Sequence, residues 1–252
     1  MRGAGAVLIL GLALCNASCA LSGLPDGDAQ KPGNGISQTK DLANPVDHLL
    51  ARFDTLWPEP TYMIATVDTP EGLWNVYVVS IPPDQVAVRQ SRPDGEYEFG
   101  LIGDLIWHQA LGRTKATRLD PEYAWFLRNH ELFRFSEWIR TLHDFELAED
   151  DAEQVACRTL RARDRFDLPV SLCIEPDGDV QWIERQPPAA YGTSPLRIEI
   201  RQWEVYEGRR LPRRYRQIRD GRAFDWEVQA IYPVSESTAS LSPPPELLAP
   251  PE

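Results

Sequence analysis

The side chains able to do chemistry in this chain are few: four cysteines and four histidines among 252 residues. Cys15 and Cys19 end an apolar N-terminal run, where a thiol can accept a lipid, whereas Cys157 and Cys173 lie far downstream. In an oxidising compartment the second pair forms a disulfide. A redox-active role needs a reactive, closely spaced pair, so their separation across a hairpin argues for structure. His48, His108, His130 and His143 are scattered, and no HExxH, GxSxG, CxxC or Gly-rich phosphate loop accompanies them. His108 and Asp104 are close enough in the chain for an acid–base pair, but no third group orients them, and a surface histidine beside a turn is the better reading. The run Glu149-Asp150-Asp151 lacks the spaced oxygen ligands of a calcium loop and reads as a solvated connection. No catalytic residue, metal or cofactor is implied, and the chain reads as non-enzymatic.

The N-terminus points to export. MRGAGAVLILGLALCNASCA has Arg2, an apolar run from Ala4 to Leu14, and then small and polar residues, the build of a bacterial signal peptide over 1–20. Its apolar run falls short of the roughly 20 residues a membrane-spanning helix needs. The mature chain is therefore expected in the periplasm or cell envelope, soluble or tethered. Cys19 follows Ala17 and Ser18 but has Asn16 where an aliphatic residue is expected; Cys15 follows Leu14 where a small residue is expected. Cys19 is the candidate for lipidation, set against plain cleavage after Ala20. Residues 21–44 are rich in Gly, Pro, Asp and Asn without periodicity, a flexible linker, and residues 235–252 form a Pro-rich tail expected to be disordered.

Between them, residues 45–234 carry enough apolar sequence for one core. PVDHLLARFDTLW reads as an amphipathic helix capped by Asn44, with Pro45 in its first turn. A second helical region runs from Asp120 to Phe145, with Tyr123, Phe126, Leu127 and His130 at helical spacing. Most of the rest alternates with period two between Pro-Asp-Gly, Glu-Gly and Asp-Gly turns, so the domain is mainly antiparallel sheet. A two-residue turn fixes register. Asp94-Gly95 sets Val88 opposite Leu101 and Gln90 opposite Phe99, placing Val86, Val88, Phe99 and Leu101 on one face. Asp220-Gly221 pairs Tyr215 with Trp226 on one face, and Arg214 with Glu227 and Arg216 with Asp225 on the other. The basic run RRLPRRYRQIRDGR thus reads as a solvated outer face with acidic cross-strand partners. A net charge of -12 also argues against nucleic acid. A three-residue loop centred on Arg165 makes Cys157 and Cys173 direct opposites, an external staple on the face of Thr159, Arg161, Ser171 and Trp182.

The segments PDQVAVRQSRPDGEYEFGLIGDLIWHQ, DLPVSLCIEPDGDVQWIE and EVYEGRRLPRRYRQIRDGRAFDWEV resemble the LolA/LolB-like carriers of lipoproteins or lipids. The matching features are Gly103, Asp104 and Trp107 where one strand ends and a short Trp-bearing strand begins, and Gly208, Leu211 and Pro212 in a Gly-x-x-Leu-Pro strand. The resemblance covers residues 45 to 232. It implies a strongly curved antiparallel half-barrel with helices across the concave side, binding a lipid acyl chain or a lipoprotein. A sensor of the RseB type shares the half-barrel, so the resemblance leaves an interaction or envelope-stress sensor module with a filled core as the alternative.

A half-barrel cannot close its own hollow, so helices must fill it, leaving a packed core or a cavity. The residues expected to meet an acyl chain are Val88, Phe99, Leu101 and Trp107 from one part of the sheet, Trp125 and Phe126 from the helix, and Tyr215 and Trp226 from the last strands.

Overall fold

The computed structural model describes residues 44–57, 59–112, 115–148, 157–234 and 241–248. The leader, Cys15, Cys19, most of the linker and Glu149-Asp150-Asp151 lie outside the described residues.

The domain opens with α1 (Pro45–Arg52), where the Asn44 side chain accepts the Val46 N–H at 3.0 Å. Leu49, Phe53 and Trp57 follow at four-residue spacing and are all buried, so this segment lays one apolar stripe on the sheet. Thirteen strands follow: β1 (Thr61–Thr69), β2 (Gly72–Ile81), β3 (Gln85–Arg92), β4 (Gly95–Ile102), β5 (Leu105–Ala110), β6 (Thr117–Arg118), β7 (His143–Leu147), β8 (Arg158–Arg163), β9 (Pro169–Ile174), β10 (Val180–Arg185), β11 (Leu196–Tyr206), β12 (Arg209–Arg219) and β13 (Arg222–Pro233). They form one antiparallel sheet in the order β6-β5-β4-β3-β2-β1-β13-β12-β11-β10-β9-β8-β7. The sheet does not close, because its edges β6 and β7 are unpaired with each other. Register shifts in β1, β10 and β11 are bulges of the kind that bend strands.

The order explains the helices. β6 and β7 are consecutive in sequence yet lie at opposite edges, so the chain between them must cross the sheet. It crosses on the concave side, touching β3 and β4 at one end and β12 at the other. The expected single helical region is broken into a 3-10 turn (Pro121–Tyr123), α2 (Ala124–Asn129), a second 3-10 turn (Leu132–Arg134) and α3 (Phe135–Ile139). Residues 143–147 turn out to be the edge strand β7. Asp120 precedes the first turn without a capping bond from its side chain. The break has a visible cause: Arg134 is buried and donates to the Trp57 carbonyl, and Glu137 accepts the Trp57 N–H, so the layer bends to meet the segment after α1.

Two registers differ from expectation. The pairs Val88–Phe99 and Val86–Leu101 replace Val88–Leu101 and Gln90–Phe99; the loop is Pro93-Asp94, and Gly95, at φ 150°, pairs with Arg92. Thr159, not Cys157, faces Cys173, because the loop after β8 has five residues. There the Asp164 carboxylate accepts the N–H groups of Phe166 and Leu168, at 2.9 and 3.1 Å, stabilising the longer turn. Both errors are slips of two residues, which leave every side chain on its expected face. Cys157 and Cys173 are bonded, with Cα atoms 5.5 Å apart, diagonally rather than directly across. The bridge is on the outer face but not external in the sense of exposed: both cysteines are buried, with Trp182 directly across from Cys173. The Asp220-Gly221 hairpin has the expected pairs, including Tyr215–Trp226 and Arg216–Asp225.

Candidate functional site

Register and burial together define the concave surface. Met63, Ala65 and Val67 of β1 meet Val78, Val76 and Trp74 on β2 and Ile231, Val228 and Trp226 on β13. The row continues through Val86 and Val88 to Leu101 and then Ile106. On the other side it passes Tyr215 and Ile200, then Ile198, Ile183, Leu172 and Leu160. Against this surface lie Trp125, Leu127, Phe133, Phe135 and Ile139 from the helical layer, with Phe53 contacting Phe135 at 4.7 Å and Trp203 at 5.0 Å.

The expected lipid-contacting residues are dispersed. Val88, Leu101, Trp125, Tyr215 and Trp226 are in the core, at 0 to 5% exposure, with Tyr215 and Trp226 stacked at 5.6 Å. Phe99 and Phe126 are half-buried at one end, in an aromatic group with Tyr123 and Tyr191; Phe126 and Tyr191 are 4.8 Å apart. Trp107 must be removed from the set. It pairs with Gly100, one residue out of step with the Leu101–Ile106 pair, and so lies on the outer face. Its ring packs over Gly100, where a side chain would collide with it. The strand alternation is sufficient to predict this, since Leu101 and Trp107 cannot share a face once Leu101 pairs with Ile106. Nearby, Glu246 in the tail's 3-10 turn (Pro245–Leu247) accepts the Ala116 N–H at 3.1 Å.

Polar groups run through the hollow as well. The Arg92 guanidinium lies 4.3 Å from the Trp74 ring and donates to Gln90 Oε1; the Gln90 Nε2 in turn lies 3.2 Å from His130 Nε2. His130 Nδ1 is 3.1 Å from the Phe126 carbonyl. The chain is consistent for a neutral imidazole donating through Nδ1 and accepting at Nε2. Loss of hydration pushes the His130 pKa down to about 4. His108, read from the sequence as a surface histidine beside a turn, lies against the Phe99 ring at 4.7 Å, and desolvation followed by Arg92 lowers its pKa. No hydrogen bond or ion pair joins it to Asp104 among the described residues.

At the end near Pro82 and Pro83, the helical layer and the sheet leave a cavity of about 210 Å³. Its apolar wall is Leu132, Trp138, Phe166, Ile183 and Ile198; its polar wall is Ser80, Arg128, Asn129, Glu131, Arg134, Glu137, Asp164, Arg165 and Arg185. None of the eight expected lipid contacts lines it. Arg185 is the centre of the polar wall. It is 4% exposed, pairs with Asp164 at 2.9 Å, donates to Asn129, and lies over the rings of Trp125 and Trp138 at 4.9 and 5.3 Å. Arg128 pairs with Glu131 at 2.7 Å, and Glu131 accepts from Ser80. The signal for Arg185 was present in QWIER, where parity puts it on the inner face with Ile183; a charge at an inward position of an alternating strand marks a buried ion pair or a site. The helix-borne members had no such signal.

Among the described residues no group of three or more His, Cys, Asp or Glu could hold a metal ion, and no helix is long and apolar enough to cross a membrane. The solvated reading of the basic run, with acidic cross-strand partners, holds for Arg214 and Arg216, with Arg214–Glu227 at 2.8 Å and Arg216–Asp225 at 2.7 Å. Arg210 differs: with Arg52 it clamps Asp179, tying α1 to the β9–β10 hairpin and β12.

No family model and no curated protein matches the chain in sequence. Solved structures do resemble it. A DUF1329 family protein from Desulfovibrio piger superposes with a TM-score of 0.54 at 13% identity, covering 78% of this chain and 93% of that one. A LolA superfamily protein from Nitrosomonas europaea gives 0.53 at 12% identity, covering 75% and 94%. A domain assigned to outer membrane lipoprotein sorting from Vibrio parahaemolyticus gives 0.51 at 9% identity, covering 77% and 93%. With its open antiparallel sheet and the helices crossing the concave side, the chain therefore has the half-barrel fold of LolA-superfamily structures.

Proposed function

We propose that this protein is a non-catalytic, carrier-like binder of a lipid or lipidated partner in the cell envelope, taking its ligand between the helical layer and the sheet. The observation that supports this is the cavity beside Ile183, Ile198 and Trp138, part apolar and part charged, as an amphiphile requires. At about 210 Å³ it is smaller than the roughly 300–1,000 Å³ of ordinary ligand pockets. A full acyl chain enters only as α2 and α3 lift from the sheet, and both are short helices joined by 3-10 turns. The fold resemblance supports the class of ligand and not its identity. The second reading, an interaction or sensor module with a filled hollow, is favoured by the near-complete burial of Val88, Leu101 and Trp125.

Titrating fatty acids of increasing length against tryptophan fluorescence separates the two. For a carrier, affinity rises by about 0.8 kcal/mol for each methylene buried, and Ile198→Phe, which fills the apolar wall, abolishes the long-chain gain. A wild-type protein that shows no length-dependent binding overturns the carrier reading and leaves the interaction module.

A further inference from the structure

The polar wall of the cavity is not balanced. Arg128, Arg134 and Arg185 each have a carboxylate partner, Glu131, Glu137 and Asp164, at 2.7, 3.3 and 2.9 Å. Arg165 also lines the cavity, and among the described residues it has no hydrogen bond or ion pair. Partial desolvation, and after it the neighbouring Arg128, hold its pKa down, with the charges of Glu131 and Asp164 acting the other way. Deeper in, two donors are left over, Arg185 Nε and Asn129 Nδ2, both buried with no protein acceptor, alongside one buried acceptor without a donor, Glu137 Oε2. Buried donors of this kind are rarely left unmatched. Four cations against three carboxylates, with two donors to spare against one acceptor, describe a place for one more negative charge. The apolar residues Ile183, Ile198 and Trp138 sit beside it.

We infer that the cavity binds the anionic head of an amphiphile, a carboxylate or phosphate carrying an alkyl chain, with Arg165 as the residue that meets the anion. This rests on the carrier reading for the alkyl chain, but the anion site stands on its own geometry. Arg suits the role because its planar fork donates two parallel hydrogen bonds to a carboxylate or phosphate. The inference also gives an acidic protein a means to hold an anion, since the local charge at the cavity and not the net charge of -12 decides binding at short range.

The test is calorimetric titration of the purified protein with octyl phosphate, octanoate, octyl glucoside and inorganic phosphate. The two octyl anions are expected to bind, more weakly as salt rises, and octyl glucoside to bind at least tenfold more weakly. Arg165→Gln should cost octyl phosphate at least tenfold in affinity with an unchanged melting temperature, and Arg165→Lys should restore part of the loss. Because the Arg165 side chain is exposed and makes no hydrogen bond or ion pair among the described residues, its removal should leave the fold intact. Inorganic phosphate binding as tightly as octyl phosphate, and lost in Arg165→Gln, would keep the anion site, assign it to a free anion and count against the carrier. Octyl glucoside binding as well as the anions, or affinity indifferent to Arg165→Gln, would overturn the inference while leaving a lipid carrier in place. No binding by any of the four would also overturn it.

Discussion

His130 shows how one residue couples the hollow to pH. Its imidazole accepts from Gln90 and donates to Phe126, with the Trp226 ring 5.6 Å away. Desolvation, the largest cause, lowers its pKa from 6.5 to about 4. The folded state therefore resists a proton that the unfolded chain accepts. The stability contribution is complete above about pH 6.5 and is lost as pH falls from there towards about 4, by something on the order of 3 kcal/mol. Urea unfolding followed between pH 7 and pH 4.5 should show a falling midpoint, and His130→Gln should flatten the slope by close to one proton. An unchanged slope in the variant would place the titrating group elsewhere. Arg185 illustrates burial beside a partner: at 4% side-chain exposure desolvation lowers its pKa, and the Asp164 carboxylate 2.9 Å away works against that.

Among the elements, the β8–β9 hairpin most needs a covalent link. β8 is joined on one side only to the edge strand β7, and the connection before it is strongly acidic. Cys157, immediately before β8, ties that entry to β9 through Cys173. A closed loop of this length contributes about 3 kcal/mol if chain entropy dominates. Reduction should therefore lower the melting temperature, and Cys157→Ser with Cys173→Ser should reproduce the loss without reductant. Thiol labelling of the denatured, unreduced protein should find neither cysteine; two labelled thiols would reject the bridge. The helical layer is held by its buried apolar side chains and, around the cavity, by polar links. Arg134 and Glu137 grip the backbone of Trp57, while Arg128, Glu131 and Ser80 connect it to β2. These contacts sit around the cavity, so the parts of the layer that must move for a ligand are the parts fastened by exchangeable polar contacts.

For the molecule as a whole, the half-barrel and the N-terminal segment raise the question of where the protein works. We propose that Cys19 carries a lipid anchor and that the linker to residue 44 is the tether. Fractionation of cells should then find the wild-type protein with membranes and Cys19→Ser in the soluble fraction, with the same fold by circular dichroism. Wild-type protein that is soluble and begins after Cys19 would reject the anchor. The distribution of charge fits such a protein: Arg214 and Arg216 of β12 are matched by carboxylates on β13, and Arg209, Arg210, Arg213 and Arg219 by carboxylates elsewhere.

Much of this protein is determined by local sequence. Period-two alternation and Asp-Gly turns identify strands and the face each side chain takes, because a slip of two residues leaves parity untouched; that is why the inner faces of β3, β4, β12 and β13 are legible although one of the two registers is not. Asn44 and Pro45 mark the start of α1 for the same local reason. Parity also exposes the misplacement of Trp107, whose partner is Gly100. What only the tertiary structure decided is what fills the hollow and where the remaining space lies. The path from β6 to β7 across the sheet breaks the expected helix into short pieces, and this depends on two edges meeting opposite ends of one chain segment. The cavity gathers residues from β2, the helical layer, the loop after β8, β10 and β11. Its charge balance depends on which arginine finds which carboxylate, and such distances between remote segments are set by packing, not by any local pattern.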